Sequence, residues 1–317
     1  MTIIDNTFSD IRIGPASTFQ NLTVFPLIGA SDTEPSYDTL DAALLHGTLR
    51  ITEVTESGRV PEIKVLNGGG RPVLIIDGEE LLGAKQNRTV NLSILIPAHA
   101  DVVVPVTCVE AGRWHSRSVH FEASSRTHFA EGRAAKSRQV SESLLTHGVP
   151  TADQSQVWDA IAMKSARFKA SSRTGAMADI FEATGASVDD YLRGVPVSAG
   201  QVGALFLIDS QCKGLDMFDT SQTLRSLLPK VLRGYALDAI DSRLGTSSDH
   251  NDLSPVNGGP DAAISHANAF LESVMACDRR SFLPIGVGEA WRLMGHGVSG
   301  GALTYKNRVV HLSAFVA

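Results

Sequence analysis

The sequence has few cysteines and no long apolar run. Only three of its 317 residues are cysteine, and Cys108, Cys212 and Cys277 are isolated, with no CxxC pair. This argues against a disulfide framework and a structural zinc knuckle. The apolar stretches are broken by Asn91, Pro97, His99 and Asp101, so none reaches the roughly 20 residues of a membrane span. The opening MTIIDNTFSD lacks a basic n-region and an apolar h-region and does not read as a signal peptide. The expectation is a protein of the reducing cytoplasm with no membrane partner.

Several catalytic signatures are missing too. There is no HExxH, no GxxxxGK[ST], and no PCxxC to accompany His120-Phe121-Glu122, which argues against zinc protease, phosphate-loop and zinc deaminase chemistry. Residues 295–300 spell GxGxxG and residues 297–301 spell GxSxG, but the strand-like GALTYKNRVVHLSAF follows. A dinucleotide fingerprint and a nucleophile elbow both need a helix there. No acidic residue follows Ser299 either. Both patterns read as a glycine loop between strands.

What is present is an ordinary soluble globular composition, 43% hydrophobic and 20% charged, long enough for one large or two modest domains. The net charge of −6 makes nucleic acid an unfavoured partner. One stretch opposes that balance. Residues 112–139 hold Arg113, Arg117, Arg126, Arg133, Lys136 and Arg138 against Glu122 and Glu131, a net of +4 that leaves −10 for the rest. Such a stretch reads as an anion-attracting field or as a solvated loop.

The first 110 residues are rich in short Val, Ile and Thr runs: LTVFPLI (22–28), LRITEV (49–54), VLIID (73–77), VNLSILIP (90–97) and VVVPVTCVE (102–110). They are too closely spaced for βαβ crossovers, so antiparallel pairing is expected. Asp38–His46 reads as a short helix closed by Gly47. Helices are then expected over Gln139–His147, from a Thr151/Gln154 capping box to about Phe168, and from Ser187 with Asp190. Residues 203–208 and 212–218 form a hairpin candidate. A long helix over Thr220–Leu244 carries Pro229, residues 245–260 have linker composition, and a helix follows over 261–275. Strands return at 289–294, 302–305 and 309–315. The fold class is α+β: a β-sandwich-like N-terminal part, a helical middle, and C-terminal strands returning to the sheet. The division is residues 1–138, β-rich with the basic loop, and residues 139–317, α+β, or one integrated domain. NRTVNLSILI (87–96) and NRVVHLSAFV (307–316) share five residues at equal offsets, which fits either two related β units or chance.

The densest polar cluster is DGEELLGAKQNR (77–88), between two apolar strands. If residues 84–90 continue the following strand, Lys85 and Asn87 share one face and Gln86 and Arg88 the other. Lys85 and Arg88 near Glu79 or Glu80 would form a compact charged site for a phosphate or carboxylate. A carboxylate there could also serve as a general base or hold a divalent cation. The plain alternative is a surface hairpin of solvated ion pairs. A second candidate is Glu110 at a strand end with Arg113 and Trp114, an aromatic beside arginines that suits a stacked ring or simply a core edge.

These residues carry a resemblance. DGEELLGAKQNR (77–88), VTCVEAGRW (106–114), QVSESL (139–144), GQVGALF (200–206) and PKVLRGYALDAI (229–240) resemble the bacterial domain family named for its association with ADP-ribosylglycohydrolase and rhodanese-phosphatase proteins. The resemblance covers most of residues 20–245. It implies context, namely work near ADP-ribose or phosphorylated nucleotide metabolism, and assigns no catalytic residue.

The expectation is therefore an enzyme or sensor for a phosphorylated, nucleotide-like ligand. Lys85, Gln86, Asn87, Arg88, Arg113 and Trp114 would contact the ligand, Glu79, Glu80 or Glu110 would act as base or metal ligand, and residues 115–138 would close as a lid. The alternative is a non-catalytic, homo-oligomeric interaction or accessory module.

Overall fold

Every residue of the strand Gln201–Ile208 is buried. Its side chains alternate, with Ala204, Phe206 and Ile208 entering one apolar cluster and Leu205 and Leu207 another. A strand covered on both faces needs apolar residues along its length, which is why the sequence carries no polar side chain from Val202 to Ile208. The computed structural model describes residues 2–29, 33–246 and 259–317. Apart from its ends, the linker-like stretch 245–260 lies outside them.

The described helices are α1 (Ile3–Ser9), α2 (Leu40–Leu45), α3 (Ala130–His147), α4 (Gln154–Phe168), α5 (Met177–Arg193), α6 (Ser221–Thr246) and α7 (Gly259–Ala276). The nine-stranded sheet runs Arg12–Ile13, Leu22–Ile28, Gln201–Ile208, Gln211–Phe218, Arg308–Val316, Val298–Tyr305, Glu289–Gly295, Asp278–Phe282, with Ser17–Phe19 beside Leu22–Ile28. Helices α5 and α6 supply one of its covers, through Tyr191, Leu224 and Tyr235. Helices α1 and α7 supply the other, through Ile4, Phe8 and Phe270. The six-stranded sheet runs Phe121–Thr127, Glu79–Gly83, Arg88–Val90, Ala100–Cys108, Glu62–Asn67, Leu49–Glu53. A small sheet holds Ile94–Ile96, Val73–Ile75 and Asp38–Thr39. The last two of these strands make the one parallel pairing among the described residues. The protein is thus α+β with large antiparallel sheets, and its C-terminal strands return to the sheet that holds Leu22–Ile28.

Several helix boundaries differ from expectation. Asp153, not Thr151, caps α4, accepting from the amides of Ser155 and Gln156. Ser187 and Asp190 lie inside α5, whose entry at Ala176 has no side-chain cap to announce it. Helix α3 begins at Ala130 rather than Gln139. Its buried positions Arg133, Lys136, Ser137, Val140, Ser141 and Leu144 follow helical spacing, but most are polar, so no apolar period marks it. The basic stretch is accordingly not a lid. Phe121–Thr127 is a strand and Ala130 onward is a core helix.

The Phe206 and Tyr235 rings stack at 3.8 Å between their centroids, and both residues are fully buried. Phe206→Ala should lower stability by about 3–5 kcal/mol in urea unfolding. A loss below about 1 kcal/mol would contradict a close-packed contact there.

Candidate functional site

Helix α3 lays its polar stripe across the face that holds Asp216, His311 and Ser313. Asp216 lies opposite Ser313, and Phe218 opposite His311, in the pairing of Gln211–Phe218 with Arg308–Val316. His311 is therefore a diagonal neighbour of Asp216, within side-chain reach. Asp77 arrives from the turn after Val73–Ile75. Gly78 follows with φ +82°, and a β-carbon there would meet Arg133 Cδ at 2.7 Å. Glycine lets the backbone turn and the arginine pass.

Arg133 joins these parts. Its Nε and Nη2 donate to the two Asp77 oxygens at 3.2 and 3.1 Å. Its Nη1 and Nη2 donate to the two Asp216 oxygens at 3.0 and 2.6 Å. Burial alone would raise the Asp77 carboxyl, but the Arg133 charge overrides it and holds that group well below the usual carboxylate range. His311 Nε2 lies 3.2 Å from Asp216 Oδ1, and its Nδ1 lies 2.6 Å from Ser93 Oγ. Ser93 Oγ also accepts from the Asp77 amide at 3.0 Å, and Ser313 donates to Asp77 Oδ1 at 3.0 Å.

Two further cations lie near. Lys136 Nζ donates to Thr89 Oγ1 at 3.0 Å and to the Val90 carbonyl at 2.6 Å. Burial pushes it down to about 7, with Asp77 opposing and Arg133 assisting. Arg292 is buried and donates only to neutral groups. Its Nε meets Ser141 Oγ at 2.9 Å, and its Nη2 meets the Ser137 carbonyl at 2.9 Å and hydroxyl at 2.7 Å. Burial pulls Arg292 down to about 10, with the Asp77 charge opposing. Its Nη1 has no hydrogen-bond partner among the described residues. That atom lies beside Gly301, where a β-carbon would come within 2.4 Å of it. Arg292, Gly301, Asp77, Ser93 and Ser313 all line one cavity of about 110 Å³, closed on other sides by Leu92, Leu144 and Trp291.

Asp77, Asp216 and His311 offer ligand atoms within 4.8 Å of one another. They do not suit a cation, because the Arg133 guanidinium already bridges both carboxylates and His311 Nε2 is engaged with Asp216. These three residues therefore give no site for a divalent ion, which the sequence tied instead to Glu79, Glu80 or Glu110.

The residues singled out from the sequence fall into separate groups. Lys85 and Gln86 lie in a bend and Asn87 just after it, none of them on the strand, which starts at Arg88. Glu79 pairs with Lys230 at 2.7 Å and Glu80 with Arg126 at 2.5 Å, not with Lys85 or Arg88. Successive strand residues face opposite ways, so each glutamate meets a different neighbour. Burial raises both carboxyls despite these cations. Glu110 accepts from Arg113, from the Asn87 amide at 3.0 Å and from Thr174 at 2.7 Å. Burial opposes ionisation there, and these hydrogen bonds, led by Arg113, hold its carboxyl below the usual value. Glu110 and Asn87 border a cleft of about 340 Å³ whose lining does not include Glu79, Lys85 or Arg88. Lys85 and Arg88 flank the exposed Trp114 ring at 5.8 and 5.7 Å. Cys108 is buried and its thiol is pushed up to about 11 by burial.

Residues 10–315 match the family model of the ARG and Rhodanese-Phosphatase-superfamily-associated Protein domain, ARPP-1. The chain belongs to that family. No curated protein and no solved structure matches the chain. No described helix of this ARPP-1 protein is long and apolar enough to cross a membrane.

Sequence reading had put Asp77 in its cluster but missed Ser93, Arg133, Asp216, Arg292 and His311 as a group. One signal pointed to part of it. The similar segments 87–96 and 307–316 place Ser93 and Ser313 at the same offset, and both hydroxyls approach Asp77 Oδ1, at 3.5 and 3.0 Å.

Lys136 generates a pH test. The unfolded chain keeps this proton up to about pH 10, whereas the folded protein releases it near 7. Between those values the unfolded state binds more protons, so folding stability gains from this group as pH rises. Urea unfolding from pH 7 to 10 should show wild type gaining on Lys136→Met. A constant difference would contradict the depressed lysine.

Proposed function

We propose that this ARPP-1 protein binds a small phosphorylated, nucleotide-like ligand whose anionic group enters the cavity at Arg292. The observation that carries the reading is a buried guanidinium with neutral partners only and a free Nη1 on the cavity wall. A buried charge normally has a counter-ion. Asp77 and Asp216 are already taken by Arg133, so Arg292 has no carboxylate of its own. Arginine is suited to phosphate and carboxylate through paired N–H donors. The small cavity takes the anionic group, and the rest of the ligand lies towards the exposed Leu283 at its rim.

One observation favours a second reading. Arg88 is fully buried, yet its Nε and Nη2 have no hydrogen-bond partner, and Glu53 lies 3.8 Å away. With Lys85 and the Trp114 ring beside it, this is a second place for a phosphate with a stacked base.

Thermal shift and calorimetry with inorganic phosphate, ADP-ribose and NAD separate the two. A ligand at a hundredfold its Kd adds about 2.7 kcal/mol of stability. Arg292→Met should weaken binding by at least about tenfold, while the Lys85→Ala/Arg88→Ala double variant should leave it unchanged. The reverse pattern would move the site to Trp114. No binding by any of the three would favour the interaction module.

A further inference from the structure

Ser93 is the one partly open member of an otherwise buried hydrogen-bonded chain. It lines the cavity, while His311 and Asp216 are each 1% exposed. The protons can be assigned from the bonds. Both Asp216 oxygens accept from Arg133, so Asp216 accepts here too and His311 Nε2, 3.2 Å from Oδ1, is the donor. Nδ1 is then an acceptor, and Ser93 Oγ at 2.6 Å donates to it. The rival acceptor, Asp77 Oδ1, is 3.5 Å from Ser93 Oγ, outside the usual O–H···O range. The Asp77 amide donates to Ser93 Oγ from another side, which favours negative charge on that oxygen.

A hydroxyl bonded to an imidazole that is itself held by a carboxylate is the arrangement of an activated serine. Here the serine uses Nδ1 and the carboxylate Nε2. Ser93 sits between the strands Arg88–Val90 and Ile94–Ile96, so no strand-to-helix elbow marks it.

We propose that Ser93 is the nucleophile and His311 the general base of an esterase reaction on a small carboxylic ester bearing an anionic group. The place of that anionic group at Arg292 rests on the binding reading above. Ser93 Oγ bonds to the ester carbonyl carbon as its proton passes to His311 Nδ1. The bond from carbon to the alcohol oxygen breaks, and that oxygen leaves with the proton. Water then gives a proton to Nδ1 and its oxygen to the acyl carbon. Ser93 Oγ leaves and recovers the proton, so one ester and one water become one acid and one alcohol. Asp216 is a positioning residue that fixes the ring and its tautomer.

The test treats the full chain with a fluorophosphonate probe and maps the label by peptide mass spectrometry. Label on Ser93 is expected, absent in Ser93→Ala, and slowed at least about 100-fold in His311→Gln. Ser226→Ala, on the exposed side of α6, should label as wild type. Asp216→Asn removes one of the two carboxylates beside His311, Asp77 and Asp216, which Arg133 bridges and of which Asp77 also acts on Lys136 and Arg292. Its pH profile of labelling should shift to lower pH, a readout that a purely structural loss would not move. Circular dichroism checks folding. If His311→Gln does not fold, Ser93→Cys replaces it, with iodoacetamide expected to alkylate the new thiol well below pH 8. Folded wild type unlabelled at Ser93, equal labelling in His311→Gln, or a Ser93→Cys thiol with an ordinary pH profile would each overturn the proposal. Phosphate binding without label removes the nucleophile and keeps the binding reading, and label without phosphate binding does the reverse.

Discussion

The guanidinium of Arg133 holds together three distant parts of the chain. Asp77 comes from the N-terminal β part, Asp216 from the hairpin after α5, and Arg133 itself from α3. Two carboxylates this deep need a buried partner. With it, each receives two donors, and their remaining lone pairs are free to bind His311 and Ser313. The geometry around Ser93 follows, since the ring that reaches Ser93 is oriented by an acceptor that Arg133 fixes. Buried ion pairs are weak evidence for stability. Their value here is the placement of neutral groups that can move a proton.

The arrangement is asymmetric in charge. The carboxylates have a cation of their own, whereas Arg292 and Lys136 have only neutral oxygens. Lys136 responds by giving up its proton near neutrality. Arg292 cannot do so at ordinary pH, so it stays charged beside the cavity. That difference between two buried bases is why the reading centres on Arg292.

Much of the fold was legible. The apolar run and turn residues that marked the hairpin at 203–218 reappear as Gln201–Ile208 and Gln211–Phe218, turning through Asp209 and Ser210, which both take positive φ. Asp38–His46 contains α2, and the C-terminal strands fall at 289–295 and 308–316 as expected, but residues 298–301, which read as a glycine loop, are already strand, and Asp278–Phe282 had no signal. The start of α3 was hidden because its buried stripe is Arg133, Lys136, Ser137 and Ser141, and a hydrophobic period cannot report a polar inner face. The chamber was hidden for the same reason and for one more. Its members are scattered from Asp77 to Ser313, so no short motif contains them. The 77–88 cluster was visible because its charges are contiguous. Its glutamates pair with Lys230 and Arg126, residues that local spacing could not foresee.

The most direct test is the protonation of His311 in the free protein. Nitrogen-15 NMR of the histidine rings at pH 7.5, with His311→Gln for assignment, reads both ring nitrogens. The account predicts a neutral ring with its proton on Nε2 and a hydrogen-bonded, unprotonated Nδ1. A ring protonated on both nitrogens, or on Nδ1 alone, would mean that Ser93 cannot pass its proton to His311, and would contradict the arrangement described here.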